Sequence, residues 1–135
     1  MTMPQREIVA QIYEDFQAGD IPAIVARFHP QIDWEHSSQD HGIPWIVPGR
    51  GLEVVGKFFA AVGREFEFSH FEVLSLLEDG ATVVALLRIE ATIRSTGKKI
   101  EDHEAHVFTF DADRKVVAYR HVLDTYQHRW ASKPG

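Results

Sequence analysis

Positions 81–95 read ATVVALLRIEATIRS. Val83, Ala85, Leu87, Ile89, Ala91 and Ile93 fall on one parity, and Arg88, Glu90, Thr92 and Arg94 fall on the other. Successive side chains of a strand point to opposite faces, so this run predicts a strand with one dry face and one wetter face. Turn signals at Asp79-Gly80, Thr96-Gly97 and Asp111-Ala112-Asp113 cut the second half of the chain into four such strands, 66–77, 81–95, 99–110 and 115–124.

The first half has a different period. From Gln5 to Ala18, Ile8, Val9, Ile12, Tyr13 and Phe16 recur at helical spacing. Gly19 suits a helix C-terminus and Asp20 caps a second, short helix that carries Ile21, Ile24, Val25 and Phe28 and is stopped by His29-Pro30. A short strand is expected at 32–36 and a turn-rich segment at 37–51. A third helix runs from Leu52 to about Gly63, weakened by about 1 kcal/mol at Gly56. The element order ααβαββββ is that of an α+β fold, with helices packed on one side of a curved, mostly antiparallel sheet. No linker, repeat or low-complexity stretch divides it, so 1–135 is expected to be one domain.

Composition narrows the function. Fourteen basic residues against twenty acidic ones give a net charge of -6. Without a basic tract, neither nucleic acid nor an anionic membrane is an expected partner. No apolar run approaches the roughly 20 residues of a membrane-spanning helix, and the first residues show no secretory pattern, so a cytoplasmic location is expected. Zero cysteines remove disulfides, thiolate nucleophiles and cysteine zinc sites. Eight histidines in 135 residues are the hint of chemistry.

The order of elements, together with Ala18-Gly19-Asp20-Ile21-Pro22-Ala23-Ile24-Val25, Pro48-Gly49-Arg50-Gly51 and Arg120-His121-Val122-Leu123-Asp124, resembles the nuclear-transport-factor-2-like superfamily of ketosteroid isomerases, SnoaL-like cyclases and limonene-epoxide hydrolases. The resemblance covers nearly the whole chain. It implies a cone-shaped α+β barrel in which the sheet wraps the helices around an apolar pocket, and a homodimer paired through the outer sheet face. Carried over by position, the isomerase base falls on His36, its tyrosine on Ile12 with Tyr13 one place away on another helical azimuth, and its acidic strand residue on His106. The epoxide-hydrolase aspartate of the last strand falls on His121. Its Arg/Asp pair falls near Leu87 and Ile89, one residue from Arg88 and Glu90, which parity places on the outer face. Neither of those two activities is therefore expected as such.

Parity extends the site. With odd positions of 81–95 inward, the register that the resemblance implies puts Glu104, His106 and Phe108 inward on the next strand, Tyr119, His121 and Leu123 on the last, and Trp34 and His36 on the first. The expected site is thus catalytic His36, His106 and His121, with Trp34, Trp45, Glu104, Phe108, Tyr119, Leu123 and Ile12 against the substrate. Imidazoles exchange protons near neutral pH. The expected chemistry is proton transfer on a small apolar molecule bearing a carbonyl or hydroxyl, with His36 as base, His106 on the developing oxyanion and His121 or Tyr119 orienting them.

The remaining assignments are plainer. Trp45 is expected as a lid or dimer contact, Phe58, Phe59, Phe66 and Phe68 as core, and Arg88/Glu90 as an outer-face ion pair. His29 and His128 are expected to be solvated, and His70 and His103 to lie outside the pocket. Asp124 matches an aspartate frequent in SnoaL-like sequences but stands off the face of His121. No cofactor is expected. A histidine-ligated metal is the weaker alternative, because the nearest spacing, His103-Glu104-Ala105-His106, points its ends to opposite faces. A non-catalytic binding or dimerisation module is the other alternative.

Overall fold

The computed structural model describes residues 3–35, 39 and 41–135. In chain order its elements are α1 (Gln5–Gln17), α2 (Ile21–Val25), β1 (Phe28–Trp34), β2 (Gly49–Arg50), α3 (Leu52–Glu65), β3 (Phe66–Asp79), β4 (Thr82–Ile93), β5 (Lys99–Phe110), β6 (Val116–Val122) and α4 (Thr125–Ser132). The strands form one sheet in the order β2-β1-β6-β5-β4-β3. Every neighbouring pair is antiparallel except β1 and β6, which run parallel. The sheet curls around the helices, which is the expected α+β cone.

The alternation that opened the reading holds through β4. Its six odd-numbered apolar residues are all buried, none more than 3% exposed. A buried leucine or isoleucine side chain contributes about 2 kcal/mol of apolar transfer, so this face alone anchors the core. Against it, α1 buries Ile8, Val9, Ile12 and Tyr13, and α3 buries Val55, Phe58, Ala61 and Val62. Gly19, at a φ of +76°, closes α1, and the Asp20 carboxylate accepts the Ala23 N–H at the start of α2. The glycines of Pro48-Gly49-Arg50-Gly51 have separate reasons. A Cβ on Gly49 would come within 2.7 Å of Val54, and Gly51 enters α3 at a φ of +96°.

Three features depart from the expected outline. The second helix ends at Val25, and Phe28 belongs to β1, not to the helix stripe. The Val116 N–H takes the Arg27 carbonyl at 3.0 Å, so pairing with β6 draws the chain into the sheet four residues before the expected start. A two-residue β2 pairs Arg50 and Gly49 with Asp33 and Trp34. Finally, β6 stops at Val122, and α4 follows where a strand end was expected. Asp124 caps it by accepting the Gln127 N–H at 3.2 Å. Gln127 then clamps α4 to β5 by exchanging two hydrogen bonds with the Glu101 backbone, at 2.6 and 2.8 Å.

Candidate functional site

The inward face of β5 reads Ile100, Asp102, Glu104, His106, Phe108, Phe110, and all six are buried. Register sets His106 opposite Ala85 on β4 and His121 on β6, and Glu104 opposite Leu87. Strand pairing alone therefore brings two histidines and a carboxylate together. The Glu104 Oε1 accepts from His121 Nε2 at 2.6 Å and from His106 Nε2 at 3.0 Å. The other ring nitrogen of His106 accepts the Tyr13 hydroxyl of α1 at 2.6 Å.

A third histidine closes the carboxylate from behind. His128 of α4 is fully buried. Its Nε2–H donates to Asp102 Oδ2 at 2.8 Å, and Glu104 Oε2 lies 3.1 Å away, off the axis of that bond. The Trp45 indole N–H donates to His128 Nδ1 at 3.0 Å. On the His121 side, Glu35 is fully buried and accepts the His121 backbone N–H at 2.5 Å. Its Oε2 stands 3.8 Å from His121 Nδ1, and neither atom has a hydrogen-bond partner among the described residues.

Burial and these contacts set the charges. Burial would raise the Glu104 carboxyl, but the charge of His121, the hydrogen bonds of His106 and His121 and the close approach of His128 outweigh it and hold the group well below the carboxylate range. His106 is pushed down to about 4 by burial and then by the charge of His121, so it is a neutral imidazole near pH 7. Burial and the nearby Glu104 raise Tyr13, and burial, Tyr13, Glu35 and Glu104 raise Tyr119, so both phenols keep their protons. Burial raises Glu35 against the pull of His121. For His128, burial disfavours the charge, yet Asp102 and Glu104 push it up to about 9.

Tyr13, Glu104, His106, Tyr119, His121 and His128 line a narrow cavity of about 70 Å³. Its walls are mainly aromatic: Trp34 stacks on Tyr119 at 4.3 Å between ring centres, and Phe58 packs edge-on to His121. The hollow continues past Phe16, Phe59, Phe68 and Phe71 towards Gln17, Gly19 and Gly63, near the ends of α1 and α3. No lysine or arginine lines it among the described residues. Among the described residues, the buried Trp34 Nε1–H has no hydrogen-bond partner.

Of the residues expected here, His106, His121, Glu104, Phe108 and Tyr119 lie on the cavity wall, as do Ile12, Trp34 and Trp45. His36 lies outside the described residues. Leu123 is not on the wall; it follows the end of β6 and packs half-buried against the core. Tyr13 lines the cavity beside Ile12, because α1 buries a face wide enough for two adjacent residues. Trp45 is neither lid nor surface contact: it is wholly buried against Phe66 and His128. His128 is buried, not solvated. Phe58, Phe59, Phe66 and Phe68 are wall as well as core. Asp124 is a helix cap, and Arg88/Glu90 pair at 2.8 Å with about a third of each side chain exposed.

Glu35, Tyr13, Asp102 and His128 are the participants that sequence reasoning missed. Asp102 carried a usable signal, since it shares the parity of Glu104. Glu35 carried none, because parity with Trp34 turns it outward. A φ of +57° breaks the alternation and brings it in.

Glu104, His106 and His121 bring three donor atoms within 4.8 Å of one another, as do Asp102, Glu104 and His128. In the first set the facing atoms are 2.6 and 3.0 Å apart. Ligands held at about 2.0–2.2 Å from one ion stand roughly 3 Å or more apart. The 2.6 Å contact is that of a shared hydrogen, while either set carries the donor types that a metal ion takes.

The model of a SnoaL-like domain matches residues 9–119, so His121 and α4 lie beyond the matched segment. No curated protein matches the chain at a significant level. Among solved structures, an NTF2-like protein from Burkholderia thailandensis is 30% identical with a TM-score of 0.84, over 98% of this chain and 100% of that one. TerC, co-crystallized with polyporic acid, is 21% identical with a TM-score of 0.79, over 96% and 98%. A Mesorhizobium loti protein described as a SnoaL-like polyketide cyclase is 18% identical with a TM-score of 0.70, over 88% and 98%. The last two are likenesses of fold.

Proposed function

This chain belongs to the SnoaL-like domain family, and on that premise we propose that its cavity takes up a small, largely apolar molecule bearing a carbonyl or hydroxyl and performs general acid/base chemistry on it, of the isomerase, cyclase or hydratase kind. The observation that carries the reading is the Glu104 carboxylate, buried at 5% exposure and shared by His106 and His121 at the end of an aromatic hollow. A paired carboxylate behind an imidazole fixes the tautomer and balances the charge when the ring takes a proton.

In this reading His121 moves the proton at Nδ1, with Glu104 on the opposite nitrogen. A C–H bond next to the ligand carbonyl breaks, its electron pair shifts onto oxygen, and the proton passes to His121, which returns it elsewhere on the product. The oxygen is met by the Tyr119 hydroxyl and by the Trp34 N–H, which has no partner among the described residues. His106 does not fill that role, because Glu104 and Tyr13 occupy both its nitrogens. It stiffens the carboxylate instead. Such a base is worth about 10²–10⁴ in rate and such a donor about 10²–10³.

The competing reading is a binding module without turnover, favoured by the same full engagement of His106. Quenching of Trp34 by steroid-, terpene- and polyketide-like compounds identifies binders, and His121→Gln then separates the two. Under the acid/base reading turnover falls at least 100-fold with affinity kept within a few-fold; an effect on affinity alone supports the binder.

Residues 1–135 acting as one domain, a cytoplasmic location and a homodimer belong to the same proposal. No helix among the described residues is long and apolar enough to cross a membrane. The dimer would use the outer sheet face, where Ser75, Leu86, Ala105 and Val122 form one cross-strand row and Leu86 and Val122 are 37% and 48% exposed.

A further inference from the structure

His128 stands between opposed demands. From β5, Asp102 and Glu104 face its Nε2 at 2.8 and 3.1 Å. From the segment before β2, the Trp45 indole faces Nδ1 at 3.0 Å. The Phe66 ring of β3 packs beside it, and on its own helix the Asp124 carbonyl accepts the His128 backbone N–H while Arg129 is exposed. The two carboxylates favour an imidazolium, which would need a hydrogen on both ring nitrogens. An indole nitrogen is a donor only, so its hydrogen bond to Nδ1 requires a lone pair there. A second proton on His128 would set two fully buried N–H groups head to head, and each would lose its partner.

We propose that Trp45 is a tautomer lock: its N–H holds His128 neutral, with the hydrogen on Nε2, so that the negative charge of Glu104 is kept for His106 and His121 on the cavity side. Both ends are fixed for the purpose. Trp45 and His128 are completely buried, and α4 is anchored by the Gln127–Glu101 pair and by Thr96, whose hydroxyl donates to the Ala131 carbonyl at 2.6 Å. Asp102 and Glu104 pull His128 up to about 9, and the Trp45 N–H opposes that charge by needing the Nδ1 lone pair; a cation 3.1 Å from Glu104 Oε2 would compete for the carboxylate that His106 and His121 share. Trp45 and His128 are thus positioning residues acting through Glu104. Their functional weight rests on the acid/base reading above; the tautomer itself does not.

The test is ¹⁵N–¹H spectroscopy of the imidazoles in the full chain, which requires no substrate and so stands even if the catalytic reading falls. In the wild type, His128 is expected to show one protonated nitrogen, Nε2, from pH 8 down to pH 6. In Trp45→Phe, which keeps the aromatic bulk and removes the donor, both nitrogens are expected to be protonated at pH 7, with the His121 ring signals displaced. A doubly protonated His128 in the wild type across that range overturns the proposal, and so does a W45F protein whose His128 keeps a single proton. If W45F does not fold, the wild-type spectra decide alone.

Discussion

Strands β4 and β5 lie side by side, matched residue for residue from Thr82–Thr109 to Thr92–Lys99, and turn the same parity into the same core. They bury opposite kinds of side chain. The inner face of β4 is wholly apolar, whereas the middle of β5 carries Asp102, Glu104 and His106, each at 7% exposure or less. Apolar burial stabilises without any partner. Buried ionisable groups cost several kcal/mol each unless neighbours supply charge and hydrogen bonds, and apart from the Glu104–His106 bond within β5, these groups draw partners from α1, β6 and α4. One strand therefore makes the fold and the other makes the candidate site.

Truncation should divide the two strands most sharply. Glu104→Ala leaves three histidines without their common anion and is expected to cost about 3–5 kcal/mol, read by urea unfolding, and under the proposed acid/base reading to abolish turnover. Its cross-strand partner gives the contrast. Leu87→Ala is expected to cost about 2–5 kcal/mol as a cavity while leaving the imidazole spectrum unchanged; altered His106 or His121 signals would erase the division.

Acid should act on β5 first. The folded state holds His106 down to about 4 against an ordinary 6.5. As pH falls from 6.5 towards 4, the unfolded chain takes up a proton there that the folded chain refuses, so stability drops with acidification, by about 3 kcal/mol across the window. Below about 4.5, Glu104 adds to the loss, because its depressed carboxyl stabilises the fold only while ionised. His106→Gln should flatten the profile between pH 6.5 and 4, and an unchanged slope would move the effect elsewhere. The outer face should respond least. Arg88→Ala removes an ion pair about a third exposed, and its expected cost is below about 1 kcal/mol.

What could be read in the sequence follows the same division. Strands β4 and β5 and the turns between them were legible because alternation and turn residues are local signals. The inward set of Glu104, His106, Tyr119 and His121 followed from parity once register was supplied. The rest depended on contacts between distant elements. Only His128 and Ala131 of α4 are buried, too few to leave a periodic stripe in a helix held mainly by polar bonds to β5. Phe28 fitted the helix stripe until strand pairing claimed the Arg27 carbonyl. Glu35 enters the core through a single left-handed residue, which parity cannot foresee.

The central claim is that the inward histidines of this sheet serve a ligand. Its most direct test is the imidazole spectrum recorded with and without a saturating amount of the best binder from the compound panel. Displaced ring signals for His106 and His121, with those of the outward His70 and His103 unmoved, are predicted. A saturated protein whose His106 and His121 signals do not move would contradict the account.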